Sequence, residues 1–177
     1  MLKKLFIICI GCCFLISPAY ARDWNFGVKL AYIEPDGSLI SGSDNADNIG
    51  VTLGYQWPRS FGAIGLEADY TTSFLEGSED IDGIPINEAF FIDTLGAHAT
   101  YKTPRYATNL GIYSKFRAGV TYYEVTNTGF LNEEEADFSL GIGVGLKLGQ
   151  VAIEIDYTRF NDIDMFSFNV ILSPKSF

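Results

Sequence analysis

The chain has 177 residues, with 12 basic and 22 acidic side chains and a formal net charge of −10 at neutral pH. Nucleic-acid binding requires a basic surface, so this balance argues against a nucleic-acid partner. A content of 18 glycines, 15% aromatic and 47% hydrophobic residues favours a sheet protein whose apolar surface is large for its size.

Residues 1–21 have the parts of a secretory signal. Two lysines precede an apolar run at residues 5–16, and Ala19 and Ala21 form a small-x-small cleavage site. The apolar run is too short for a spanning helix, which needs about 20 residues, and no other segment approaches that length. We therefore predict a cleaved signal peptide, no transmembrane helix, and one exported domain at residues 22–177.

All three cysteines, Cys9, Cys12 and Cys13, lie inside the predicted signal, so the mature chain has none and forms no disulfide. Residues 9–12 are faintly similar to a lipoprotein box, but the usual leucine is missing. We therefore expect a mature protein that begins at Arg22 rather than at an acylated Cys12. Removing the two lysines of the signal leaves 10 basic and 22 acidic residues, a formal charge of −12.

Apolar and polar side chains alternate, with a period of two residues, from the start of the mature chain. In the first predicted strand, residues 24–33, apolar side chains alternate with small or polar ones, and successive side chains of a strand point to opposite faces. The second and third strands, residues 48–57 and 62–74, repeat the pattern, and the third turns Glu67 and Asp69 to the polar face.

The alternation continues to the end of the chain. The remaining strands are predicted at residues 89–101, 110–123, 138–148, 151–160 and 165–173. In each strand one face is mostly apolar and the other carries glycine, hydroxyl or charged side chains. Asp93 departs from this rule, because it falls on the apolar face of the fourth strand.

The eight predicted strands are joined by connections of two kinds. Short connections lie at residues 58–60, 103–109 and 149–150, and longer acidic ones at 34–47, 75–88 and 124–137, with a short acidic one at 161–164. Strands of about ten residues, even in number, with short turns at one end and longer loops at the other, are typical of outer-membrane barrels. We therefore predict an all-β fold, a closed eight-stranded antiparallel up-and-down transmembrane β-barrel.

This pattern, together with the signal and the terminal Phe177, resembles the small eight-stranded outer-membrane barrels, the outer membrane protein A-like and opacity-like group often labelled the porin family. The resemblance covers the whole mature chain. It implies a place in the outer membrane of a Gram-negative cell, and insertion by the barrel-assembly machinery, which recognises a terminal aromatic residue. Pro174 cannot donate to a ladder, so Phe166 and Phe168 are the alternative assembly signal to Phe177.

Charged side chains on the polar face form the predicted interior cluster. They are Lys29, Glu67, Asp69, Arg117, Lys147, Glu154 and Asp156, with Lys102 and Lys115 placed near the rims. An eight-stranded barrel is just wide enough to be filled by its own side chains, and a buried charge survives only if it is paired. We therefore expect a salt-bridged core with Arg117 nearest its middle; a gated or proton-conducting path is the alternative interpretation.

Aromatic residues cluster near the strand ends, where two girdles at the membrane interfaces are expected. Trp24, Trp57 and Tyr101 are predicted at the turn end, and Phe74, Tyr122 and Tyr157 toward the loop end. The apolar faces between them have no second layer to pack on, so lipid is their expected partner.

His98 is the single histidine of the sequence and the one candidate for a histidine base. Barrel lipid A deacylases have a His-x-Ser motif near the lipid face, whereas Ala99 and Thr100 follow His98, and its parity points it inward. A general base needs an oriented partner and access for substrate. We expect an interior histidine, no catalytic residue and no enzyme activity, and the sequence has no metal-ligand spacing or cofactor motif.

The predicted loops are rich in Asp and Glu, including the run Glu133-Glu134-Glu135. Solvated, like-charged loops are the simpler interpretation, and weak binding of Ca²⁺ or Mg²⁺ shared with lipopolysaccharide phosphates is the alternative. The expected partners are outer-membrane lipids, lipopolysaccharide and the barrel-assembly machinery, and the expected state is a monomer.

These features favour an integral outer-membrane barrel with a packed polar interior and a structural or surface-interaction role. A narrow channel for small solutes or ions, a lipid-modifying membrane enzyme and a soluble lipocalin-type barrel are the competing hypotheses. The last requires an apolar interior, whereas the charged residues of the third, fifth and seventh strands share the glycine-rich face.

Overall fold

The computed structural model describes residues 24–35, 45–75, 77–81, 84–104, 110–127 and 132–173. They form nine strands: β1 Trp24–Pro35, β2 Ala46–Arg59, β3 Gly62–Leu75, β4 Gly77–Ile81, β5 Ile84–Lys102, β6 Leu110–Asn127, β7 Asn132–Leu148, β8 Val151–Phe160 and β9 Ile163–Leu172. Within these segments no helix is long and apolar enough to cross a membrane. The predicted cleavage site at Ala19 and Ala21, and Phe177, lie outside the described residues.

Eight of the strands close into a barrel. Each pairs antiparallel with the next along the chain, with β3 paired to β5, and β9 returns to pair with β1 from Phe26 opposite Leu172 to Pro35 opposite Ile163. The predicted closed eight-stranded antiparallel barrel is confirmed. β4 is an addition that pairs with the first residues of β5 at the loop end.

The alternation of side chains along each strand separates the outer wall from the lumen. On β1, Phe26, Val28 and Leu30 are 45% to 54% exposed, whereas Asn25 and Lys29 between them are 4% and 1% exposed. No second layer covers the outer face of the described strands, so the wall presents a continuous apolar surface that requires lipid as its partner.

The strands extend further at the loop end than the alternation predicts. β5, β6 and β7 have 19, 18 and 17 residues. The predicted loop at residues 124–137 is wrong, because Glu133, Glu134 and Glu135 are strand residues paired with β6. Acidic side chains occupy both faces there, so alternation is hidden, yet the backbone ladder forms without it.

Three other predicted connections are shorter for the same reason. Residues 75–88 contain β4 and the start of β5, and the connections predicted at 34–47 and 161–164 lose their ends to neighbouring strands. Between β8 and β9 only Asn161 and Asp162 remain as a turn, and Asn161 has a positive φ of 48°, which asparagine tolerates better than most residues. At the opposite end, Gly149 turns β7 into β8 with φ 65°, a conformation that glycine adopts at little cost.

The inward side chains form three layers along the barrel. From turn end to loop end, β6 presents Tyr113, Lys115, Arg117, Thr121 and Tyr123, all buried. β8 presents Ala152, Glu154, Asp156, Thr158 and Phe160 in the same direction, also buried. Charged residues thus occupy the middle of the lumen, and apolar or aromatic side chains lie at both ends.

Candidate functional site

Arg117 organises one half of the luminal charge cluster. Its Nη2 lies 2.8 Å from Asp69 Oδ2, and its Nη1 lies 3.4 Å from Glu67 Oε1. Lys29 Nζ approaches the other oxygen of Asp69 at 2.9 Å. All four side chains are at least nine-tenths buried. Asp69 therefore lies between two cations, which offset the cost of removing its charge from water.

Lys115 organises the other half. Its Nζ lies 2.9 Å from Glu67, 2.8 Å from Glu154 and 2.9 Å from Asp156. Glu154 also accepts hydrogen bonds from Lys102 and from the Tyr113 hydroxyl, each at 2.5 Å. Glu67 contacts both Lys115 and Arg117, so it joins the two halves into one network.

Lys115, predicted near a rim, pairs with Lys102, the last residue of β5, at the turn end. Its side chain is nevertheless 2% exposed and contacts three carboxylates, because the four-carbon stem of a lysine carries the ammonium group well away from its own Cα. Tyr113 also covers the turn end beside it.

Among the described residues, the luminal ion pairs join equal numbers of cations and carboxylates. Four cations, Lys29, Lys102, Lys115 and Arg117, meet four carboxylates, Glu67, Asp69, Glu154 and Asp156. Lys147, also predicted for the interior cluster, is partly buried at the turn end, where it pairs with Ala152 of β8, whose side chain is buried. A balanced, buried network of this kind supplies each charge with a partner at close range.

Two glycines of β7 make room for the cluster. A Cβ atom at position 141 would lie 2.6 Å from Arg117 Cγ, and one at position 143 would overlap the Asp156 carboxylate. Alternate glycines on a strand whose neighbours carry inward charges are the sequence signal for this space. Alternation alone predicts only a small polar face there.

His98 adds an arrangement that resembles a catalytic triad. Its Nε2 lies 2.8 Å from Ser139 Oγ, and its Nδ1 lies 3.3 Å from Asp69 Oδ2. Sequence analysis missed Ser139, because it lies on β7, 41 positions from His98, and no local motif links the two.

The hydrogen bonds around His98 do not suit a general base. Arg117 Nη2 lies 2.7 Å from Nδ1 and 3.0 Å from Nε2. A guanidinium only donates, so it competes with Asp69 at Nδ1 and with Ser139 at Nε2. A triad histidine instead needs one nitrogen held by the carboxylate and the other left for the nucleophile, and Ser139 and His98 are 0% and 3% exposed.

No group of His, Cys, Asp and Glu in the described segments has a geometry that could hold a metal ion. The carboxylates of the lumen are already engaged by lysine and arginine. The acidic side chains of β6 and β7 at the loop end instead contact tyrosines, with Tyr122 donating to Glu134 at 2.6 Å and Tyr123 to Glu135 at 2.9 Å.

The predicted aromatic residues of the turn end face outward and pack against other aromatic rings. Trp24 and Trp57 pack edge-on against Tyr55, with ring centroids 5.2 Å and 4.7 Å apart. Tyr101 stacks beside Phe116 at 6.2 Å. Such amphipathic rings are typical of membrane interfaces.

Toward the loop end, Phe74 is 54% exposed and Tyr157 lies 5.0 Å from Phe166. Tyr122 also faces outward, with its hydroxyl held by Glu134. Phe166 and Phe168, the candidate assembly signal, point outward from β9 at 47% and 42% exposure. Aromatic side chains therefore flank the apolar band at both ends.

Sequence comparison agrees with this architecture. The model of the outer membrane protein beta-barrel domain matches residues 7–172. The chain belongs to this family. Its place is accordingly the Gram-negative outer membrane. Among curated proteins, none matches the sequence.

Two solved outer-membrane barrels share the fold. Neisserial surface protein A is 13% identical with a TM-score of 0.51, and the match covers 89% of this chain and 100% of that one. The N-terminal β-barrel domain of Pseudomonas aeruginosa OprF is 14% identical with a TM-score of 0.50, over 84% of this chain and 96% of that one. At these identities the likeness concerns the fold alone.

Proposed function

We propose that this outer-membrane barrel is a closed protein with a structural or surface-interaction role, rather than a channel or an enzyme. The observation that carries the proposal is the way the lumen is filled. The ionic cluster lies between a turn-end layer and a loop-end layer of buried apolar side chains. The turn-end layer consists of Ala63, Tyr113, Ala152 and Ile171, and the loop-end layer of Ala31, Ile33, Ala46, Phe90, Ile92, Tyr123, Val125, Phe160, Ile163 and Met165.

Both apolar layers oppose conduction. An ion that crossed them would lose its hydration without gaining ligands, and narrow hydrophobic constrictions in channels stop flow by excluding water. In the loop-end layer, Ile33 and Ile163 are 0% exposed and Phe90 and Phe160 are 1% exposed. A permeating ion would also have to separate paired charges in the middle layer.

Planar-bilayer recording of the folded mature protein tests the proposal. We expect no stable unitary current in concentrated salt. Phe160→Ala, which thins the loop-end layer, should also remain silent, because the ionic layer below it is intact. Reproducible current steps in the parent that rise with salt concentration would replace the closed barrel by the narrow channel.

The enzyme alternative has one observation in its favour, the Asp69–His98–Ser139 arrangement. The guanidinium of Arg117 beside both ring nitrogens of His98 and the burial of Ser139 argue against it. Incubation of the folded protein with lipid A, followed by mass spectrometry of released fatty acid, should show no turnover. Release that Ser139→Ala abolishes and Ser167→Ala leaves intact would establish an enzyme.

The proposal includes the partners that the surface favours. The apolar wall and its aromatic flanks support outer-membrane lipids and lipopolysaccharide as neighbours, and outward Phe166 and Phe168 support recognition by the barrel-assembly machinery. The negative charge of Glu124 and Glu134, a cross-strand pair at the loop end, supports weak attraction of Ca²⁺ or Mg²⁺ together with lipopolysaccharide phosphates, without a formed metal site in the described segments. A monomer is expected, and sedimentation in detergent measures it.

A further inference from the structure

An apolar groove of about 630 Å³ lies on the outer wall where β5, β6, β7 and β8 adjoin. Its floor is formed by Ala99 and Ala118, which are directly paired and bear only methyl groups. Stacked Tyr101 and Phe116 form one side, and Leu140 stands on the other. The groove is therefore a depression in a surface that otherwise projects large apolar side chains into lipid.

The groove follows a row of paired residues that runs obliquely across the outer wall. Ala99, Ala118, Leu140 and Arg159 occupy one row across the four strands. Ala99 lies three residues before the turn end of β5, whereas Arg159 lies one residue before the loop end of β8. Three strand spacings amount to about 14 Å, and the tilt of barrel strands inclines such a row to the membrane plane. One end of the groove is therefore apolar and the other reaches a cation.

Arg159 is distinguished by its position. Its side chain is 53% exposed, faces outward, and has its Nε 3.7 Å from Asp164 Oδ1. In the part of the chain that the structure describes, the other outward-facing cation is Arg59, at the turn end of β2. The neighbouring loop-end surface of β6 and β7 is acidic and repels anions. At this end of the described outer wall, Arg159 is therefore the side chain that can attract one.

We propose that the groove binds one lipid A molecule, with an acyl chain along the Ala99–Ala118 floor and a phosphate at Arg159. A guanidinium is well suited to phosphate oxygens, and a narrow apolar groove beside it suits the attached hydrocarbon chain. The assignment to lipid A rests on the proposed function of an outer-membrane barrel, whose longer loops are extracellular. The loop end then lies in the outer leaflet, where the phosphate-bearing lipid is lipid A.

Native mass spectrometry of the folded mature protein in detergent tests this site, with heat-dependent gel migration as the check of folding. The probes are bisphosphorylated lipid A, dephosphorylated lipid A and phosphatidylglycerol. We expect one bound lipid A in the parent and an affinity about tenfold lower for Arg159→Gln, the loss of one charge-assisted hydrogen bond. Arg59→Gln, the matched control, should bind as the parent does.

The groove itself is tested by filling its floor. Ala118→Leu and Ala99→Leu should each weaken lipid A binding, whereas Val51→Leu, on the outer face of β2, a strand that contributes no residue to the groove, should not. If one floor variant fails to fold, the other and Arg159→Gln still decide. Unchanged binding in Arg159→Gln, or in a folded floor variant, overturns the proposal, as does equal affinity for phosphatidylglycerol or dephosphorylated lipid A. These variants leave the luminal layers untouched, so failure here would not bear on the closed lumen.

Discussion

Arg117 Nη2 on β6 lies 2.8 Å from Asp69 Oδ2 on β3, although β5 separates the two strands. The contact is therefore made through the lumen and not along a ladder. Because both side chains are buried, each offsets part of the free-energy cost of removing the other's charge from water. This pair gives the luminal network its most direct test.

Arg117→Leu should destabilise the barrel by about 3 to 5 kcal/mol, because it removes one of the two cations that hold each of buried Asp69 and Glu67 and leaves the luminal network with one carboxylate in excess. Urea unfolding in lipid vesicles measures the loss. Adding Asp69→Asn should recover part of it, as coupled residues do in a double-mutant cycle. Adding Glu154→Gln should recover less, since Glu154 contacts Lys102 and Lys115. Equal recovery of stability by Asp69→Asn and Glu154→Gln would contradict the pairing of Arg117 with Asp69.

Lys115→Met keeps the length of the side chain and removes its charge, leaving Glu67, Glu154 and Asp156 without a shared partner. We expect a loss of about 3 to 5 kcal/mol in the same unfolding measurement. Arg59→Met, at the exposed turn end, should change stability by less than about 1 kcal/mol. A small loss in both variants would show that the luminal carboxylates have other means of support.

Gly143→Ala should be far more costly than an ordinary glycine replacement. The added methyl group would overlap the Asp156 carboxylate, which must then move away from Lys115 and Asn169. Gly54→Ala is the matched control, since its Cβ would meet nothing closer than 3.5 Å. The unfolding midpoint should fall for the first variant and stay near that of the parent for the second. Equal midpoints would contradict tight packing around Asp156.

If the outer wall faces lipid, the cost of placing a charge on it should depend on depth in the membrane. Val144, near the middle of the outward apolar run Phe138–Leu148 of β7, is 56% exposed, and Leu148, at the turn end of the same strand, is 46% exposed. Val144→Arg should cost about 2 to 4 kcal/mol and Leu148→Arg about 1 kcal/mol or less, because the cost of a cation falls toward the interface. Similar costs in vesicles would mean that this face does not meet hydrocarbon.

Alternation alone was enough to predict the barrel and the direction of most side chains. Lys29, Glu67 and Asp69 are placed in the lumen by parity, because their strands have one clearly apolar face. The same rule fails at Phe90-Phe91-Ile92, where both faces are apolar, so the loop-end apolar layer was not predicted. It also fails at Glu133-Glu134-Glu135, where both faces are acidic and the lack of alternation predicts a loop in place of the start of β7.

Partner choice inside the lumen could not be predicted in the same way. The alternation of side chains along each strand predicts that Arg117 and four carboxylates share the lumen. It does not predict that Arg117 contacts Asp69 while Lys115 contacts Glu154. Those contacts depend on the relative shift of distant strands as the barrel closes, and on the reach of each side chain. Ser139 beside His98 is a further case, since a single serine on a glycine-rich face has no signal of its own.

Thiol accessibility tests the closed lumen most directly. All three cysteines of the sequence lie within residues 1–21, so a mature Ser139→Cys variant carries one thiol, at a position that is 0% exposed. Thr126→Cys, at an exposed position of β6 near the loop end, is the reference. In folded barrels in vesicles, a water-soluble thiol reagent should modify Thr126→Cys and leave Ser139→Cys unmodified until urea unfolds the protein. Modification of folded Ser139→Cys at the rate of Thr126→Cys would mean that water enters the lumen, and would contradict the closed barrel.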